Sequence, residues 1–260
     1  MDPYDVFPNM DQIIAMLHEK RSSFMPTIIY VEGPIGSGKS KFGEGVKKEH
    51  ARLLAAGKVD FDLIVIDEPL TEWGKHLDMF YKDQKRYAFE FQIRTITTRL
   101  TKLTRAVFRE VERYNRGEIH RLPVFLVERS YISDKIFAIA NFNCGNMNAD
   151  QFELYKSCIG FFIEKNAPMG TCHIYICPSV DTCVSRINKR DRKCESAIDV
   201  DYLQKLHDLH DVEFSSNPLP GLNTLIYENP DMEEGEVREK AFYEVFQNAC
   251  AYENLSRVSK

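Results

Sequence analysis

No apolar run in this 260-residue chain approaches the ~18 residues that a bilayer-spanning helix needs, so the sequence excludes a helical membrane protein. A surplus of positive charge is also missing. Lys and Arg number 34 against 39 Asp and Glu, a net charge of −5, so nucleic acid is not an expected partner. No Lys or Arg precedes Lys20, whereas Asp2, Asp5 and Asp11 do. Neither a secretory signal nor an Arg-rich transit peptide is expected, and a cytoplasmic or nuclear location is. No C-x-x-C pair occurs among the seven cysteines, which removes the common zinc and thioredoxin spacings and leaves reduced thiols. His207 and His210 have no third ligand nearby and read as a surface pair. There is no internal repeat, low-complexity tract or linker. With 43% hydrophobic and 28% charged residues, the sequence reads as one domain over residues 1–260.

What is present is an alternation. Residues 1–25 read as a short helix and a lead-in. Five short β-rich runs follow: Thr27–Val31, Leu63–Ile66, Pro123–Val127, Cys172–Ile176 and Thr224–Tyr227. Long stretches with helical spacing separate them. Strands joined by helices require crossovers and hence a parallel sheet, and near-continuous apolar runs fit strands covered on both faces. The expected fold is α/β, a three-layer sandwich with a five-stranded parallel sheet flanked by helices. Residues 84–116 lack Pro and Gly and place Tyr87, Phe91, Ile93, Ile96, Leu100, Leu103, Val107 and Val111 near one stripe, which predicts a long helix. A second long helix is expected over about residues 150–165. The pair could pack on the sheet or form a subunit interface.

The strongest local signal is Gly33-Pro34-Ile35-Gly36-Ser37-Gly38-Lys39-Ser40. It matches G-x-x-x-x-G-K-[ST] in full, follows an expected strand and opens a helical pattern. Gly33, Gly36 and Gly38 let backbone N–H groups, Ser37 included, curl around phosphate oxygens. Lys39 supplies a point charge to the outer phosphates and the Ser40 hydroxyl can ligate Mg²⁺. The motif implies a nucleoside triphosphate but not its use. The second run continues as Asp67-Glu68-Pro69-Leu70-Thr71-Glu72-Trp73 and the third as Glu128-Arg129-Ser130-Tyr131-Ile132-Ser133-Asp134. In parallel α/β sheets the ligand crevice lies at the carboxyl ends of the strands, so Glu68, Glu128 and Arg129 should converge on the glycine-rich loop.

With these motifs, Phe80–Gln92 (F-Y-K-D-Q-K-R-Y-A-F-E-F-Q) and Arg186–Glu195 (R-I-N-K-R-D-R-K-C-E) in the same order, the sequence resembles the deoxyribonucleoside kinases, near the deoxycytidine and deoxyguanosine kinase branch. The resemblance runs from about Thr27 to His210. It implies that ATP and Mg²⁺ serve the transfer of a phosphoryl group to the 5′-hydroxyl of a deoxyribonucleoside. Glu68 is then the general base, Arg129 the clamp at the 5′ region, and Glu128 with Ser40 the hold on Mg²⁺. Trp73 and Phe91 line the nucleoside slot, Gln92 reads the base edge, and Tyr81 with Glu195 holds the 3′-hydroxyl. Arg186, Arg190 and Arg192 belong to a lid over about residues 186–197. Cys194 and Pro34 depart from the family's usual residues, an acid and an Asn.

Arg99 lies seven residues after Gln92, two turns along the same helix, and Asp134 is its expected partner. In the resemblance such a pair goes with deoxycytidine or deoxypurine use over thymidine, with Thr95 narrowing the slot. The resemblance also implies a homodimer through long helices, and the lack of a long apolar run gives no reason to expect a membrane partner. Two rivals share the glycine-rich loop: a thymidylate kinase-like nucleoside monophosphate kinase, and a catalytically silent nucleotide-binding module. The first needs an extra basic site for its acceptor phosphate; the second would have no use for Lys39, Ser40, Glu68 and Arg129 together.

Overall fold

The structure, a computed structural model, describes residues 26–120, 123–166, 172–190, 192, 198–216, 223–228 and 235–258. Five strands form the sheet: β1 Thr27–Glu32, β2 Leu63–Ile66, β3 Val124–Glu128, β4 Cys172–Ile176 and β5 Asn223–Tyr227. Every pairing is parallel, in the order β2-β3-β1-β4-β5. The helices are α1 Lys39–Ala55, α2 Leu70–Lys82, α3 Gln84–Asn115, α4 Tyr131–Asn143, α5 Ala149–Asn166, α6 Val180–Arg190, α7 Val200–Asp211 and α8 Glu236–Val258.

The three layers follow from strand alternation. Ile29, Val31, Leu126, Ile174 and Ile176 point to one face and pack on Phe42 and Val46 of α1 and Phe242 and Phe246 of α8. Ile28, Tyr30, Phe125 and Val127 point to the other, against Leu103, Val107 and Val111 of α3. Further along that face Tyr175 meets Ile132 and Ile136 of α4 and Leu203 and Leu206 of α7. Each fully buried side chain of this size contributes about 1.5–3 kcal/mol. The interior strand β4 is buried throughout, while the edge strands β2 and β5 are mostly half-buried.

Strand positions agree with the sequence patterns to within a residue. β3 begins at Val124 because Pro123 has no N–H to give, whereas the Val124 N–H donates to Asp62 O at 2.9 Å. β1 and β3 each end one residue later than expected, on a carboxylate, Glu32 and Glu128. The long helix α3 starts at an Asp83 cap, whose side chain accepts the Arg86 N–H at 3.1 Å. Its buried face is not the purely apolar stripe expected: Tyr87 and Ile93 are half-buried, while Gln92, Thr95, Arg99, Thr104 and Glu110 are buried. The first half of α3 borders a cavity as well as a core, so polar side chains replace apolar ones there.

Two smaller expectations change or fall away. His210 is not on the surface but fully buried beside Phe137 and Phe214. Its Nδ1 pairs with Leu206 O at 2.6 Å and His207 Nε2 with Pro178 O at 3.1 Å, so the two histidines do not share a site. The expected helix before residue 26 lies outside the described residues. Among the described residues no helix is long and apolar enough to cross a membrane, and no disulfide joins the cysteines.

Candidate active site

At the carboxyl ends of β1, β2 and β3 lies a cavity of about 1100 Å³. One end is the glycine-rich loop. Gly33, Gly36 and Gly38 have φ of 143°, 82° and 101°. A side chain at Gly36 would put its Cβ 2.6 Å from the Cys183 carbonyl of α6, so both conformation and space require glycine. No side chain caps α1, whose Gly38 cap leaves the first N–H groups aimed at the loop, an anion site by construction. Lys39 Nζ donates to Gly33 O at 3.0 Å, Pro34 O at 2.8 Å and Ser37 Oγ at 3.2 Å. Burial, helped by the charge of Arg129, pushes the Lys39 ammonium well below its ordinary range. An anion in the loop would reverse that.

Beside the loop, Ser40 Oγ donates to Glu128 at 3.0 and 3.2 Å to its two oxygens. Burial, then the negative charge of Glu68, raises the Glu128 carboxyl above its usual range. A hydroxyl and a carboxylate with unspent negative charge suit a hard cation that keeps its remaining positions for phosphate oxygens and water, as Mg²⁺ does. Among the described residues no group of three or more His, Cys, Asp or Glu is placed to hold a metal alone.

Glu68 stands where the loop and the rest of the cavity meet. Its Oε1 accepts from Arg129 Nη1 at 2.6 Å and from Arg99 Nη1 at 3.1 Å. Burial would raise its pKa, but Arg129, Arg99 and Lys39 outweigh that and hold the carboxyl below its ordinary range. Arg129 also donates to Gly33 O at 3.2 Å, and its guanidinium lies 4.9 Å over the Phe137 ring. Its backbone is the one positive-φ case among the described non-glycine residues, at φ 63°. Such a conformation costs of order 1–3 kcal/mol and persists only where its surroundings impose it.

The far end of the cavity is an aromatic slot. Trp73 meets Phe91 edge-on at 5.8 Å, and Phe80 stacks on Phe91 at 5.0 Å. The Trp73 indole N–H donates to Thr98 Oγ1 at 2.9 Å, which fixes the ring. Arg99 spans the slot floor. Its Nε and Nη2 donate to the two oxygens of Asp134 at 3.0 and 3.3 Å, and its guanidinium sits 5.4 Å from the Trp73 ring centre. Gln92 lines the same cavity, and its buried Oε1 has no hydrogen-bond partner among the described residues. A buried carboxamide oxygen left unmatched is costly and marks a place for a ligand donor.

The structure therefore brings together Lys39, Ser40, Glu68, Trp73, Tyr81, Phe91, Gln92, Arg99, Glu128, Arg129 and Asp134 around one cavity. Arg186, Arg190 and Arg192 line it as well, and Arg186 Nη1 donates to Ser37 O at 2.9 Å. Glu195 and the rest of the expected lid beyond Arg192 lie outside the described residues. Phe80, Thr98 and Phe137 were not singled out in the sequence, because a Phe or Thr on an amphipathic helix carries no signal until its neighbour is known. The letters Asn188-Lys189-Arg190-Asp191 spell the N-K-x-D signature by which GTPases read guanine. Asn188, Lys189 and Arg190 sit instead on the last turn of α6, beyond the helix start and away from a strand end.

Phosphate cradle, paired carboxylates and aromatic slot define a nucleoside-phosphorylating P-loop kinase. The sequence profile of the deoxynucleoside kinase family matches residues 29–251, and the chain belongs to that family. It is 31% identical over 192 residues to the probable deoxycytidine kinase of fowlpox virus, covering 73% of this chain and 72% of that one. It is 28% identical to deoxycytidine kinase 2 of Gallus gallus, covering 73% and 75%. With the mitochondrial deoxyguanosine kinase of Xenopus laevis it shares 27%, covering 70% of each.

Proposed function

We propose that this enzyme transfers the γ-phosphoryl group of ATP to the 5′-hydroxyl of a deoxyribonucleoside, preferring deoxycytidine or a deoxypurine to thymidine. One observation carries the reading: Glu68 Oε1, 2.6 Å from Arg129 and 3.1 Å from Arg99, lies between the phosphate loop and the aromatic slot. A 5′-hydroxyl entering from the slot would reach Glu68 on one side and the outer phosphate of ATP, held by Lys39 and the loop N–H groups, on the other. Glu68 is ionised and takes the hydroxyl proton as the new O–P bond forms in line. Arg129 and Lys39 lower its proton affinity; once they turn to the triphosphate, that affinity rises, so the base strengthens when the donor arrives. Mg²⁺ at Ser40 and Glu128 would supply charge neutralisation between the outer phosphates. Arg186, Arg190 and Arg192 add guanidinium forks to the transferring group.

The substrate preference rests on Gln92, whose free acceptor and amide donors suit a base edge, and on the Arg99–Asp134 pair behind it. Arg99, spent on Asp134 and Glu68, is not available to an acceptor phosphate, which weighs against a monophosphate kinase. The relatives' names, deoxycytidine and deoxyguanosine kinase, point the same way. A homodimer belongs to the same proposal: Leu154 and Phe161, seven apart on α5 beside α3, are 53% and 60% exposed. The deciding experiment is turnover of the four deoxynucleosides, and of their monophosphates, with ATP and Mg²⁺. Turnover of monophosphates alone, or nucleotide binding with no turnover, would refute the proposal.

A further inference from the structure

Glu32, the last residue of β1, touches neither the cavity nor any group with a role so far, yet it is fully buried. Burying an ionised carboxylate costs several kcal/mol unless donors surround it. Three do. The Ser130 N–H donates to Oε1 at 3.0 Å and the Ser133 hydroxyl to Oε2 at 2.6 Å. His173 Nδ1 lies 3.1 Å from the same Oε1. The register of the sheet sets this up. Tyr30 pairs with His173 across β1 and β4, and their rings stack at 5.1 Å, so Glu32, two residues beyond Tyr30, shares the face of His173. Phe214 covers the imidazole at 5.7 Å. Burial would raise the Glu32 pKa, but His173, Ser130 and Ser133 more than offset it and hold the group near 2.

Two of those donors lie just after Arg129, Ser130 at the cap of α4 and Ser133 in its first turn. The strained φ of 63° at Arg129 is held on one side by the Arg129 N–H to Val31 O bond at 2.9 Å. On the other side it is held by the carboxylate that grips Ser130 and Ser133. The residue after Glu32, Gly33, accepts the tip of the same arginine at 3.2 Å. One short stretch of β1, Val31–Gly33, thus contacts Arg129 at its backbone, its turn and its guanidinium. We infer that Glu32 and His173 form a buried positioning pair that imposes the strained Arg129 turn and so aims the guanidinium at Glu68 and the phosphate loop. The kinetic part of this inference rests on the reading of Arg129 given under the proposed function. The alternative is a carboxylate that merely stabilises the start of α4.

The test compares Glu32→Ala, Glu32→Gln and His173→Phe in the otherwise native chain and in an Arg129→Ala background. A misaimed guanidinium should lower kcat by ~10–100-fold in Glu32→Ala and His173→Phe, with nucleoside KM within about threefold. Glu32→Gln, which keeps an oxygen for the Ser130 N–H, should recover most of the loss. Without Arg129 there is nothing left to aim, so the same changes should cost no more than about twofold there. Equal fold-losses in both backgrounds, or unchanged kcat in the native one, would overturn the inference. A crystal structure of Glu32→Ala supplies an arm independent of activity, and His173→Phe keeps a ring in place should Glu32→Ala not fold. Arg129 is expected to leave the positive-φ region or to move its guanidinium beyond 4 Å from Glu68. Arg129 unmoved overturns positioning whatever the kinetics; Arg129 displaced while Arg129→Ala turns over normally upholds positioning and refutes the role of Arg129 in the reaction.

Discussion

Glu68 shows how one carboxylate can be buried, paired with two arginines and still available. Arg129 is a cation that a triphosphate would draw away, while Arg99 stays anchored on Asp134, so part of the negative charge of Glu68 is kept for the hydroxyl proton. Glu68→Gln keeps the shape and removes the proton acceptor. Turnover should fall by ~10²–10⁴ with nucleoside and ATP affinities within a few fold. Steady-state kinetics with equilibrium binding of each substrate checks this, and near-normal turnover would remove Glu68 from the chemistry. Asp134 is a second case. Burial raises its carboxyl above the ordinary range even with Arg99 and a Thr95 hydrogen bond opposing, so it depends on its arginine. Removing Arg99 alone strands that carboxylate and should cost about 3–5 kcal/mol of stability. Removing both, as Arg99→Met with Asp134→Ala, should restore much of that and free room beside Thr95. Thymidine kcat/KM should then rise relative to deoxycytidine, deoxyadenosine and deoxyguanosine. A native enzyme that already prefers thymidine would refute the assignment.

Elements differ in how openly the sequence announced them. The glycine-rich loop was legible because steric demand at Gly36 leaves no substitute, and a motif that strict between a strand and a helix has few other meanings. The strands were legible because sheets covered on both faces need unbroken apolar runs. Helix α3 was legible in length but not in its buried face: Gln92, Thr95 and Arg99 are polar because they border a cavity, which periodicity cannot distinguish from solvent. His210 was misread because a polar residue in a helix looks exposed until the aromatic rings over it are known. Glu32 carries no signal in the sequence, since its three donors come from two distant segments. Without the resemblance, Glu68 and Arg129 were only strand-end charges. Helix α6 carries the next prediction. Arg190, its last residue, and Arg192 just beyond it line the cavity, so Arg190→Ala or Arg192→Ala should lower kcat more than nucleoside affinity if they meet the transferring phosphoryl group. Activity equal to the native enzyme at saturating ATP would show that this cluster serves only solvation.

At the scale of the whole molecule, the polar groups buried to build the site make folding depend on pH. His210 is the clearest, because it is fully buried in the core that packs α4 against α7 and is not itself a lining residue of the cavity. Burial lowers its pKa from 6.5 to about 3. In the unfolded chain the ring binds a proton below about pH 6.5, while in the folded chain it stays neutral down to about pH 3. The unfolded state therefore holds more protons in that window. Stability is intact above pH 6.5 and declines as pH falls towards 3, by at most about 1.4 kcal/mol per pH unit. Glu32, lowered from 4.5 to about 2, acts in the same sense but only below pH 4.5. His50, also lowered by burial, shares the upper window, and Glu128 and Asp134, raised by burial, oppose the trend. All of these remain in a His210→Phe chain, so the difference between the two chains isolates His210. Melting temperature followed from pH 7 to pH 5 should fall in the native protein and fall less steeply in His210→Phe, whatever the two values at pH 7. Parallel curves would mean that the imidazole is protonated in the folded core, with its unmatched Nε2 finding an acceptor there.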